Sequence, residues 1–69
     1  MKERYDWIDE ASNFVCEWER STGKRPTLSD VIAECKDIAT DKEARDMMID
    51  ECGSVKEYAE TLFSYMQEV

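Results

Sequence analysis

Carboxylates are the residues with the most to offer in this chain, and their spacing is regular. Asp6, Glu10, Asn13 and Glu17 follow one another at intervals of four, three and four residues. On an α-helix, which rises about 1.5 Å per residue, that spacing sets neighbours about 4.5–6 Å apart along one side. Glu3 lies on the flank of the same row, and Glu43, Asp46 and Asp50 repeat the spacing further along the chain. No Lys or Arg stands at i+4 along the first row. Like charges at that spacing cost a few tenths of a kcal/mol each, whereas Glu–Lys pairs would have stabilised the helix. Stability alone does not favour such a row. Its chemistry is recognition of positive charge, on the scale at which a nucleic-acid backbone presents phosphates.

Other chemistries lack their residues. The chain has no His, the commonest general base and imidazole metal ligand. A Ser-His-Asp or Cys-His site is therefore impossible within it. Cys16, Cys35 and Cys52 fall on three different predicted helices with no C-x-x-C, which matches no zinc module. There is no D-x-D-x-D-G calcium loop and no glycine-rich phosphate cradle. Among 17 acidic residues, chance carboxylate pairs carry little meaning. We expect no enzyme, no metal and no cofactor. Cys35 and Cys52 read as small buried hydrophobes, and Cys16, near Tyr5, projects away from the apolar stripe.

The composition agrees with a binding role. Seventeen acids against nine bases leave a net charge of -8, which repels a nucleic-acid duplex and attracts a basic protein surface. Acidity also serves solubility. Yet 42% of the residues are hydrophobic and two are Trp, too much apolar material for a disordered chain. Residues 1–69 are expected to form a single helical domain. The odd cysteine count, the lack of an apolar h-region in MKERYDWIDE and the lack of a membrane-length apolar run point to a cytoplasmic protein with reduced thiols.

The elements that must position the acids are helices. Apolar residues recur at i, i+3, i+4 and i+7, with no strand alternation and no hairpin signal. The first helix is expected from about Glu3 to Arg20, with a stripe of Trp7, Ile8, Ala11, Phe14, Val15 and Trp18 opposite the acidic row. Gly23 stops it, and Lys24 and Arg25 complement its carboxyl end. The second opens after Pro26 with Thr27 and Asp30, and presents Leu28, Val31, Ile32, Cys35 and Ile38. The third opens with Thr40 and Glu43, presents Ala44, Met47 and Met48, and stops at Gly53. The fourth opens with Ser54 and Glu57 and has a broad apolar side of Val55, Tyr58, Ala59, Leu62, Phe63, Tyr65 and Met66. Short connections make this an all-α, compact bundle of four short helices packed in succession.

The run from Gly23 to Ile32, GKRPTLSDVI, resembles the G-R-x-P-T-x-x-E-I-A run that opens a helical segment in the middle region of bacterial sigma factors. The same run is also a glycine stop, a proline, a Thr cap and apolar residues, as at any helix start. The basic recognition face that such DNA readers need is missing, so no family is assigned. The second helix sets Lys36 against Asp30, Glu34 and Asp37. In the third, Lys42 and Arg45 face Asp41, Glu43, Asp46, Asp50 and Glu51. A helix-turn-helix regulator is thus the weaker alternative. The leading expectation is a small protein-binding inhibitor or modulator, of the phage or mobile-element type. It would dock Glu3, Asp6, Glu10, Asn13, Glu17, Glu43, Asp46 and Asp50 onto a basic, nucleic-acid-binding partner, with no direct nucleic-acid or membrane contact. The alternative is an apolar docking module, a homodimer among its forms, using Ile49 and the fourth helix, with Tyr5 and Cys16 as a second small patch.

Overall fold

A computed structural model describes residues 6–68 of the chain. Within them lie four helices and no strand: α1 (Trp7–Thr22), α2 (Leu28–Ile38), α3 (Lys42–Cys52) and α4 (Val55–Met66). None is long and apolar enough to cross a membrane. Glu3 and Tyr5 lie outside the described residues.

The helix starts follow side-chain capping. Asp6 caps α1, its carboxylate accepting from the Asp9 amide at 3.1 Å, so the helix begins at Trp7. Thr27 and Asp30 form a reciprocal capping box on α2. Ser54 caps α4 by accepting from the Glu57 amide at 3.1 Å. The start of α3 differs from expectation. Asp41, not Thr40, is its cap and accepts from the Ala44 amide at 3.1 Å. The Thr40 hydroxyl is already committed backwards, donating to the Asp37 carbonyl at 2.8 Å.

Both glycines end helices in the left-handed region, Gly23 at φ 77° and Gly53 at φ 90°. Their amides donate to Glu19 and Ile49 carbonyls, closing the last turns of α1 and α3. α1 runs to Thr22, two residues past the expected Arg20, and Thr22 Oγ1 donates to the Trp18 carbonyl. Arg25 does not serve the end of α1. Its Nη2 donates to the Met66 carbonyl at 2.9 Å, satisfying the last turn of α4 instead.

α4 is the hub. It packs against α1, α2 and α3, and these are the principal helix pairs, so the bundle is not a succession of neighbours. Tyr58, Ala59, Leu62 and Met66 are buried along α4, and meet Ala11 and Val15 of α1, Val31 and Cys35 of α2, and Met48 of α3. The broad apolar side of α4 is thereby used up in three directions. The outer helices each bury a narrower stripe than their sequences offer: Ile8 is 47% exposed, and Leu28, Ile38 and Met47 also stay at the surface. The Cα radius of gyration is 11.8 Å, near the ~11 Å of a compact chain this long.

Candidate functional site

An acidic groove with a volume of about 340 Å³ lies between α1 and α2. α1 contributes Glu10, Asn13, Phe14, Glu17, Trp18 and Ser21, and α2 contributes Glu34 and Ile38. Three of the expected binding residues, Glu10, Asn13 and Glu17, therefore come together. They do not lie opposite the aromatic stripe as the sequence pattern implied. At about 100° per residue, Phe14 lies within about 60° of both Glu10 and Glu17 around the helix, and Trp18 about 80–100° from them. The Phe14 and Trp18 rings stack with centroids 6.0 Å apart and planes 11° from parallel. The groove thus joins carboxylates to an aromatic surface and to the exposed Ile38.

The charge in it is uncompensated. Among the described residues, Glu10, Glu17 and Glu34 take part in no ion pair. Cys35, next to Glu34 on α2, is buried. Burial first, then the charges of Glu34 and Glu10, push its thiol up to about 11. Negative charge from both helices therefore converges on one place. Glu34 and Ile38 were not singled out as binding residues from the sequence; only their position at i and i+4 on α2 could have marked them as sharing one edge.

The other expected residues serve elsewhere. Asp6 caps α1, and its hydrogen bond to the Asp9 carboxyl, with its charge, raises the pKa of Asp9 above the ordinary aspartate value. Glu43, Asp46 and Asp50 sit on α3, away from the lining of this groove. Asp46 is moreover paired with Lys42 at 2.9 Å.

A second, more open hollow of about 650 Å³ is bordered by Trp7, Glu51, Cys52, Glu57 and α4 residues including Glu60 and Thr61. There Trp7 stacks on Tyr65 at 5.7 Å and leans on Tyr58 at 5.2 Å. Burial is the main cause of the raised Cys52 thiol pKa there, which a Thr61 hydrogen bond partly offsets. No set of three or more Cys, Asp or Glu among the described residues is arranged to hold a metal ion. The α1–α2 groove is the better candidate, because it is the more enclosed of the two and its acids take part in no ion pair among the described residues. No protein-family model matches the chain, and comparison with curated proteins and with solved structures found no match.

Proposed function

We propose that this chain is a small acidic protein-binding module, an inhibitor or modulator that docks the α1–α2 groove and its surroundings onto a basic surface of a partner protein. The observation that supports it most is the set of three ion-pair-free carboxylates, Glu10, Glu17 and Glu34, gathered around an aromatic wall. Holding like charges together costs stability, and a cationic partner would relieve that cost. A nucleic-acid-binding protein is the natural target class, with the acids standing in for phosphates. The acids of α3 add to the long-range field that speeds encounter rather than to the contact itself. On this reading the chain binds and does not catalyse.

Affinity purification from a cell lysate with the wild type and with the Glu10→Lys, Glu17→Lys double variant tests the reading. The reversal should weaken capture of a basic partner by roughly tenfold or more, and capture should fall as salt rises. Undiminished capture by the variant would sink the proposal. A second reading rests on Met47 and Ile49, which are exposed on α3. They favour an apolar docking or dimer surface. Sedimentation separates the two, since a dimer that persists in high salt favours the apolar surface.

A further inference from the structure

Resting on the docking reading above, we propose that the α1–α2 groove is an anchor site for a single arginine side chain of the partner. Its planar head packs on the aromatic border formed by Phe14 and Trp18, and its N–H donors face Glu10, Glu17 and Glu34. The groove, about 340 Å³ and open to solvent on one side, has room for a long side chain.

Charge complementarity then selects a cation, because three carboxylates line the groove and none is ion-paired among the described residues. Shape selects among cations. Phe14 and Trp18 give the groove an aromatic surface beside its carboxylates. A guanidinium is planar, stacks on such a surface and reaches carboxylates with five N–H donors; an ammonium is a compact, strongly hydrated point charge. Ile38 offers an apolar wall for the methylene stem. Asn13 and Ser21 supply oxygen acceptors for donors that the carboxylates leave over.

The test uses the Trp7→Phe protein, in which Trp18 is the sole tryptophan. It is titrated with three short peptides identical except for Arg, Lys or neutral citrulline at the same positions, with Trp18 fluorescence as the readout. The Arg peptide should bind roughly 2–5-fold more tightly than the Lys peptide, and the citrulline peptide should leave the signal unchanged. Followed by calorimetry, Trp18→Leu should abolish the Arg-over-Lys preference while salt-sensitive binding persists. Trp18→Phe, which keeps a ring and guards against a folding defect, should retain the preference. Glu34→Gln should weaken both cationic peptides, whereas Glu43→Gln on α3 should leave the preference unchanged. Equal affinity for Arg and Lys peptides, or a preference that survives Trp18→Leu, would overturn the arginine anchor and leave the acidic docking reading standing. Failure of both cationic peptides to bind would overturn the two together. A protein dimer dispersed by Glu34→Gln would assign the groove to a second copy of the chain and overturn the anchor.

Discussion

The three thiols of this chain sit in three different surroundings, and their reactivity should rank accordingly. Cys16 is exposed, Cys52 half-buried and Cys35 buried. A thiol-specific chromogenic reagent at neutral pH should label Cys16 first and Cys35 only as fast as the protein opens, with one slow equivalent that denaturant releases. Cys35 also ties stability to alkaline pH. Its thiol ionises near 9 when the chain is unfolded but is pushed up to about 11 by burial and by the charges of Glu34 and Glu10. Between those values the unfolded chain gives up a proton that the folded one keeps, so stability falls as pH rises through that window. Urea midpoints measured across it should decline, and Cys35→Ala should make the decline shallower. Asp9 follows the same rule at acid pH. Its raised pKa means that folding holds the proton more tightly than the open chain does, so its contribution worsens as pH rises through that value. Asp9→Asn should therefore raise the melting temperature at neutral pH, and the gain should shrink in acid, where Asp9 is already protonated.

At the level of the helices, capping decides more than periodicity. Asp41→Ala should destabilise the protein by about 1 kcal/mol in chemical denaturation. Thr40→Ala should cost less, because its hydroxyl closes the end of α2 and does not start α3. Arg25→Met removes a charge-assisted bond to the last turn of α4 and should cost about 1–2 kcal/mol. The existence and order of the helices were legible because stop and start signals are local. Gly23, Gly53, Thr27 and Ser54 each act within a few residues of themselves. Where two local signals competed, as with T-x-x-E at Thr40 and Asp41 one residue later, hydrogen bonding already claimed by the preceding helix settled the choice. The site was legible only in part. The regular spacing of Glu10, Asn13 and Glu17 is a property of one helix, whereas their meeting with Glu34 and Ile38 follows from how α1 and α2 both rest on α4. Asp6 carries a local cap signal of the same kind, which its regular spacing with Glu10 obscured.

The whole molecule depends on α4 as no single outer helix could make it do. A chain of this length has a total stability on the order of 3–10 kcal/mol. Leu62 is buried at the middle of α4, and Leu62→Ala should cost about 2–5 kcal/mol, a large share of that total. Far-ultraviolet circular dichroism should show the helicity of all four helices lost in one transition at lower temperature, not the fraying of one. Ile49→Ala, at a site 45% exposed, should change stability by no more than about 0.5 kcal/mol. The position of the hub in the chain also sets a timetable. During synthesis α1, α2 and α3 leave the ribosome before the helix that they pack against exists. Their apolar stripes, and the wall that aligns Glu10 with Glu34, must wait for residues 55–66. The nascent chain is thus a string of marginal helices until α4 emerges, and the α1–α2 groove is assembled last and all at once.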